Sequence, residues 1–391
     1  MSEDVSIYLS AVEERLQRLL CTPEPAVDQL YGMMRYHMGW ADASLRPTRS
    51  AGGKRIRPLL CLLCCEAVGG RWQDALPLAC GLELVHNFSL IHDDVEDASA
   101  FRRHRPTVWS VWGVPQATNT GDAMFSLAHL SVHGLIAEGL DAEVVLAILR
   151  RVEEACLSLC EGQCLDIAFE TAQEVTVAAY ERMITGKTAA LLACAADTGA
   201  LVGSGLNGPH ELLAVFGREI GLAFQMVDDL LGIWGASTVT GKPEADDLRN
   251  RKKTLPVLFA MQTMAARADG RLAQLMAQPA LDEEQVAAAI GLVEGTGARE
   301  RVVALAQEHT DKALQALDQA WADQSFLIRA MAAVAGRLTP GTKTGHRLRI
   351  HLVAVHDRVQ LALCDGGSGR RQQRGGAEGN NYGRQQRNRL H

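Results

Sequence analysis

The chain is short of several things, and each shortage narrows its class. Aromatic residues make up 5% of its 391 residues. Alternating β-branched runs closed by hairpin turns are missing, so no sheet is expected. No uninterrupted apolar run reaches the roughly 18 residues that a spanning helix needs. The start, residues 1–4, is polar and acidic, unlike a secretory n-region, so a cytoplasmic protein is expected. A net charge of −7 gives no reason to expect nucleic acid as the partner of the folded core. Ten cysteines are present, but no CxxC pair is matched by a second pair or by suitably spaced histidines. Cys156, Cys160 and Cys164 recur every four residues, and Cys61, Cys64 and Cys65 sit in an apolar run. That is the spacing of small core-facing residues on helices, so structural thiols are expected. There is no repeat of solenoid length, and no Ser or Cys stands in a triad arrangement.

What is present reads as helix. The hydrophobic share of 47% and charged share of 22% are ordinary for a soluble globular protein. Residues 5–20 carry a helical apolar period, and a second helix is expected from Pro25 to about residue 38. Residues 41–53 read as a loop. GGKRIRPLLCLLCCEAVGG, residues 52–70, reads as a basic loop feeding a buried helix closed by Gly69-Gly70. The stretches 141–165, 174–202, 209–235 and 253–319 are rich in Ala, Leu, Glu and Gln, the better helix formers. Pro340-Gly341 breaks the pattern before a last amphipathic helix over roughly 344–363. After Asp365 the chain turns to Gly, Arg, Gln and Asn with one aromatic, which cannot bury enough apolar surface to fold. A helical domain over 1–364 and a disordered basic tail over 365–391 are expected. Such a tail can touch RNA or a partner protein, or simply solubilise.

The chemistry concentrates in LELVHNFSLIHDDVEDASAFRRHRPTVW, residues 82–109. On a helix Asp93 and Asp97 share a face, with His86 two turns below. Crowded carboxylates repel one another unless a cation sits between them, which points to a hard, oxygen-loving metal. Arg102, Arg103 and Arg105 follow at once, suggesting an anionic ligand such as a diphosphate. FQMVDDLLGIWG, residues 224–235, repeats the pattern with Gln225, Asp228 and Asp229. A doubled Asp in an apolar helix is costly to bury, and a bound cation would offset that cost. A solvated helix face is the bland alternative. Cations follow here too, at Lys242, Arg249, Arg251, Lys252 and Lys253, while Gly186-Lys187-Thr188 interrupts another apolar helix. Lys187 and Thr188 suit diphosphate contacts, or a snorkelling lysine. Two glycine-rich strings carry nothing: GSGLNG at 203–208 follows a helix rather than a strand, and GASTVTGKP at 235–243 is one residue too long for a P-loop.

In order and spacing these motifs resemble the trans-isoprenyl diphosphate synthases (polyprenyl synthetases) over roughly residues 50–260. The resemblance implies an all-α isoprenoid synthase-type helical bundle with a central active-site cavity, and a homodimer. It implies that Lys54 and Arg57 of GGKRIRP, with His86 and Arg103, hold isopentenyl diphosphate. DDVED, residues 93–97, matches the first aspartate-rich motif, with Asp93 and Asp97 as main magnesium ligands and Asp94 in support. Arg102 would face the allylic diphosphate. GQCLD at 162–166 resembles the family's GQxxD, and Gly121-Asp122 its GD pair. Lys187, Thr188, Gln225, Asp228, Asp229, Lys242 and Lys252 match positions that contact the allylic diphosphate or a third magnesium. Up to three Mg²⁺ are implied. The chain departs from the pattern at Gly232, where many members have a third aspartate, so one carboxylate fewer is expected. Trp109 replaces a common histidine, Arg251 a glycine, and Ala98 and Ala100 stand where polar residues are usual.

The implied reaction ionises an allylic diphosphate to a carbocation, which the double bond of isopentenyl diphosphate attacks, with final proton loss to the released diphosphate. Phe88 and Ser89, the fifth and fourth residues before Asp93, match positions that line the family's product cavity. An aromatic at the fifth acts as a floor, so a C15–C20 product is expected, with a lean to geranylgeranyl diphosphate. A class I terpene cyclase shares the aspartates but has no use for Lys54, Arg57, His86 and Arg103. A non-catalytic prenyl-diphosphate-binding subunit is the rival of another class.

Overall fold

The computed structural model describes residues 5–48, 53–235 and 244–320. Lys242, the helix expected over 344–363 and the tail over 365–391 lie outside the described residues. Helix α1 (Val5–Leu19) buries Val12 and Leu16. A 3₁₀ turn (Pro25–Val27) leads into α2 (Asp28–His37), so Pro25 opens the turn ahead of the helix rather than the helix itself. Helices α3 (Ile56–Ala67) and α4 (Leu76–Glu96) are buried on nearly every side. Strands β1 (Phe101–Arg102) and β2 (Arg105–Pro106) form an antiparallel hairpin, against the expectation of no sheet. Its turn residues Arg103 and His104 have φ of 51° and 61°. That is the primed hairpin geometry without the glycine or asparagine that normally announces it.

Helices α5 (Val108–Trp112) and α6 (Val114–His133) follow. Then α7 (Ala142–Thr171) starts on Asp141, whose carboxylate accepts the Glu143 N–H at 2.8 Å. Helix α8 (Val177–Ile184), a π turn (Thr185–Ala189) and α9 (Ala190–Ser204) run on as one rod. After α10 (His210–Trp234) come α11 (Asp246–Arg249), α12 (Leu255–Ala265), α13 (Arg271–Met276), α14 (Glu283–Glu294) and α15 (Ala298–Ala320). The stretch 253–319, rich in helix formers, divides into four helices. Its breaks lie at Ala268 with φ 55°, at the capping box of Asp282 and Gln285, and at Gly297 with φ 74°. Residue propensity does not register those turns, whereas caps do.

Helix α4 packs on α3 and α6, α9 on α3, α7 and α10, and α10 on α15. One apolar core joins α1–α7 with α9, and a second joins α8 with α11–α14; α10 and α15 contribute to both. The rod Val177–Asn207 is apolar and long enough to cross a membrane by length and composition alone. Here its central residues, such as Leu192, Ala195 and Ala196, are buried among other helices. Cys61, Cys64, Cys65, Cys80, Cys156 and Cys194 are buried, whereas Cys160 and Cys164, expected to face the core, are exposed.

Candidate active site

The last turn of α4 presents the first acidic wall. Asp97 ends the helix, its N–H donating to the Asp93 carbonyl at 2.8 Å. The two neighbours at 93 and 94 part company. Asp94 is 2% exposed, and its carboxylate accepts from Arg102 Nε at 2.7 Å. Asp93 is partly buried, and burial pushes its pKa up to about 6, with Lys187 pulling down and Asp97 adding to the rise. Arg102, implied to face an allylic diphosphate, thus has Asp94 as its partner in the structure.

The second wall is the C-terminal half of α10, and it divides in the same manner. Asp228 is exposed. Asp229 is 2% exposed and accepts from Tyr180 OH at 2.6 Å, the Leu255 N–H at 3.1 Å and Gln225 Nε2 at 3.1 Å. Burial raises its pKa to about 7, against the pull of those three donors. Thr188 Oγ1 donates to Gln225 Oε1 at 2.8 Å, tying the π turn to this wall. The expected loss of a carboxylate at Gly232 has a structural answer. A Cβ built there would lie 1.8 Å from Asp247 Oδ2. A carboxylate from α11 thus occupies the space a side chain at 232 would take.

Close backbone contact aims Lys187 between the walls. A Cβ at Gly162 would fall 2.3 Å from the Lys187 nitrogen, and one at Gly186 would fall 2.5 Å from the Ser158 carbonyl oxygen. Only glycine at both places lets the π turn sit on α7. Lys187 is then ion-paired with Asp166 of the GQCLD segment and feels Asp93 and Asp97. Gln163, from the same segment, donates to Glu96 Oε2 at 2.9 Å. Lys252 is exposed, with its N–H on the Asp247 carbonyl at 2.8 Å. Arg251, standing where the family has glycine, adopts φ 54°, a backbone that favours glycine. Trp109 Nε1 donates to the Ser99 carbonyl at 2.9 Å, holding the loop after α4.

Beside the first wall lies a cationic pocket. Lys54 is exposed and electrostatically linked to Asp228, with partial burial lowering its pKa. Burial takes Arg57 down to about 10 and takes His86 well below the ordinary histidine value, Arg57, Arg103 and Arg102 adding to the latter. The pocket contains groups the sequence reading passed over. Arg55, at φ 52°, is buried and bridges Glu13 at 2.6 Å and Glu83 at 2.7 Å. His37 comes from the end of α2, and Asn87 from α4. Among the described residues, seven buried side-chain nitrogens or oxygens lack a hydrogen-bond partner. Four of them, His37 Nε2, Arg55 Nη2, Arg57 Nε and Asn87 Oδ1, belong to this pocket. Three of these atoms are nitrogens able to donate, so the pocket suits an anion rich in acceptor oxygens. Spacing alone could have flagged Arg55, one residue from two singled-out cations; nothing in the sequence flags His37.

Among the described residues no three acids, histidines or cysteines are gathered closely enough to enclose a metal ion by themselves. The donor set nonetheless suits one. Asp97 lies close enough to Asp93 to add to the burial that disfavours the Asp93 charge, and both offer hard oxygens. Phe88, 8% exposed, stacks edge-on against Phe125 at 4.9 Å between ring centroids, and Ser89 Oγ donates to the His86 carbonyl. A cleft of about 590 Å³ opens elsewhere, between residues 173–177 and α12–α13, and holds none of these acids.

A family model described as polyprenyl synthetase matches residues 39–293. A (2E,6E)-farnesyl diphosphate synthase of Mycobacterium tuberculosis is 44% identical over 287 residues, 72% of this chain and 78% of that protein. A geranylgeranyl diphosphate synthase of the same organism is 43% identical over 293 residues, 75% of this chain and 83% of that one. The crystal structure of a polyprenyl synthetase from Streptomyces coelicolor A3(2) superposes with a TM-score of 0.77 at 37% identity, covering 84% of this chain and 97% of that one. A polyprenyl synthase from Caulobacter crescentus, solved with calcium and isoprenyl diphosphate, superposes with a TM-score of 0.68 at 27% identity, covering 88% and 95%. The chain belongs to the polyprenyl synthetase family and is a trans-prenyltransferase of the short-chain prenyl diphosphate synthase type.

Proposed function

We propose that the protein joins isopentenyl diphosphate to an allylic diphosphate, with geranylgeranyl diphosphate as the main product. The observation that carries this reading is the cationic pocket of Arg57, His86 and Arg103, with unpartnered buried nitrogens around it. An enzyme that only ionises one diphosphate has no need of it. Isopentenyl diphosphate occupies that pocket through Lys54, Arg57, His86 and Arg103. The allylic diphosphate lies between the walls, where Lys187, Lys252, Thr188, Gln225 and Arg102 hold its oxygens. Lys242 is assigned to the same group.

Asp93, Asp97 and Asp228 would hold Mg²⁺, up to three ions, which when bound supplies Lewis-acid stabilisation of the departing diphosphate. Asp94 and Asp229, engaged by Arg102 and by Tyr180, position the walls. Fixed positive charge at Lys187 favours breaking of the allylic C–O bond, because it is already in place as the leaving group gains charge. The isopentenyl double bond forms the new C–C bond to the cation. The resulting cation loses a proton to the released diphosphate. Apolar side chains around Phe88 and Phe125 exclude water that would quench the cation.

Phe88 closes the product cavity. Relatives that make C15 and C20 products match this chain almost equally, so product sizing decides the matter. Purified protein incubated with Mg²⁺, isopentenyl diphosphate and each allylic primer in turn is expected to accumulate a C20 diphosphate. A product without incorporated isopentenyl units overturns the reading. Phe88→Ala is expected to lengthen the main product, and an unchanged length sinks the floor assignment. The enzyme is proposed to be a cytoplasmic homodimer with a folded domain over 1–364 and a tail over 365–391. The exposed Leu130 on α6 and Leu146 and Leu157 on α7 support the dimer, and sedimentation of the full chain tests it.

A further inference from the structure

We infer that His37 is a ligand of isopentenyl diphosphate, its Nε2–H donating to a diphosphate oxygen in the cationic pocket. The inference rests on the synthase reading above and adds a residue that the motif match does not supply. His37 is the last residue of α2, and Tyr36 beside it anchors the β1–β2 hairpin: its hydroxyl donates to the Pro106 carbonyl at 2.7 Å, and its carbonyl accepts from Arg105 Nη1 at 3.1 Å. These bonds fix the end of α2 against the segment that carries Arg102 and Arg103. A small cavity is lined by His37, Asp94, Arg102 and Arg103. On its other side the Arg103 guanidinium rests on the glycine loop, where a Cβ at Gly53 would lie 3.1 Å from Arg103 Nη2 and 3.2 Å from Arg55 Nη1. The imidazole therefore stands among the guanidiniums that receive the substrate, with the Asn87 side chain as its polar neighbour, and no geometric hydrogen bond reaches its buried Nε2 among the described residues.

The chemistry explains why histidine suits this place. Arg55, Arg102 and Arg103 already crowd it, and burial together with Arg103, Arg102 and Arg55 brings its pKa down to about 3, against an upward pull from the Asn87 side chain. The ring is neutral at physiological pH, so it adds a donor without adding another charge to a repulsive cluster. Asn87 spends its amide nitrogen on the Glu83 carbonyl at 2.8 Å and on Glu83 Oε1 at 2.9 Å, so that N–H₂ group is committed elsewhere. Diphosphate oxygens only accept hydrogen bonds, so substrate binding selects the tautomer with its proton on Nε2. Glu13 and Glu83 hold the Arg55 guanidinium in place.

His37→Ala is expected to raise KM for isopentenyl diphosphate about tenfold, the size of one lost hydrogen bond to a charged group. KM for the allylic substrate should change less than about twofold. His37→Gln, which keeps a neutral N–H of similar reach, should recover most of the loss, while His37→Leu, of similar bulk without a donor, should not. Calorimetric titration of each protein with isopentenyl diphosphate reads the same contact without turnover. Unchanged affinity in both His37→Ala and His37→Leu overturns the inference while leaving the synthase reading intact. Equal weakening of both substrates, or a loss that Gln fails to recover, also overturns it by making His37 structural. Wild-type protein that does not bind isopentenyl diphosphate removes the synthase reading and this inference together.

Discussion

Asp93-Asp94 on α4 and Asp228-Asp229 on α10 are spelled alike, and the fold treats each pair unequally. In both, the first carboxylate is left towards the gap and the second is buried at 2% exposure. They differ in what holds the buried member. Asp94 is held by Arg102, a cation on the hairpin that also shapes the cationic pocket. Asp229 is held by neutral donors from three elements, Tyr180 of α8, Leu255 of α12 and Gln225 of α10. The third acid differs too. Asp97 comes from the end of the same helix as Asp93, whereas the second wall takes a carboxylate from Asp247 on α11. The first wall is the work of one helix and a hairpin, and the second is assembled from distant segments. A local motif announces the first almost completely, and only tertiary structure completes the second.

The sharpest way to break this division is to remove the two members of one doublet separately. Asp93→Ala should lower kcat/KM about 10³-fold, because the outward carboxylate is proposed to hold charge-stabilising Mg²⁺. Asp94→Asn keeps the shape of the buried group and should cost less than about tenfold, with some loss of stability. Steady-state kinetics on both variants decides the matter. Equal losses would mean that the doublet acts as a unit and that burial does not separate its roles.

Gly232→Asp tests the assembled wall. A side chain at 232 meets Asp247 Oδ2, so restoring the family's usual aspartate should damage this chain rather than improve it. Displacement of a positioning group by about 1 Å can cost about 10²-fold in kcat. Adding Asp247→Gly vacates the space and should return much of that loss. Wild-type activity in Gly232→Asp alone would show that α11 moves aside freely and that Asp247 is not the stand-in.

These contrasts also mark what could be read from residue order. The all-helical architecture was legible because apolar spacing, glycine stops and prolines are local signals, and the DDVED and GQCLD segments announce themselves. Which aspartate of a doublet turns inward was not, since adjacent residues on a helix lie about 100° apart and the packing partner decides. Tyr180 is 49 residues from the carboxylate it holds, and the primed turn at Arg103-His104 lacks its usual glycine. Gly232 reads as a missing acid, and the Asp247 carboxylate that lies against it is brought there by the fold, from 15 residues further along the chain. The breaks within 253–319 escaped notice because Ala268 turns the chain at positive φ without being glycine.

The smallest effect separates support from chemistry at the second wall. Tyr180→Phe removes one hydrogen bond to a carboxylate that the Leu255 N–H and Gln225 still reach. A bond of that kind is worth about 2 kcal/mol. Denaturant unfolding should show about that loss, while kcat falls less than about tenfold. Tyr180 lies in the second core beside Met183 and Ile184, and phenylalanine preserves that packing, so the hydroxyl alone is tested. A fall in kcat as deep as that of Asp228→Asn, with stability untouched, would make Asp229 a direct participant. The two doublets would then differ in role as well as in what holds them.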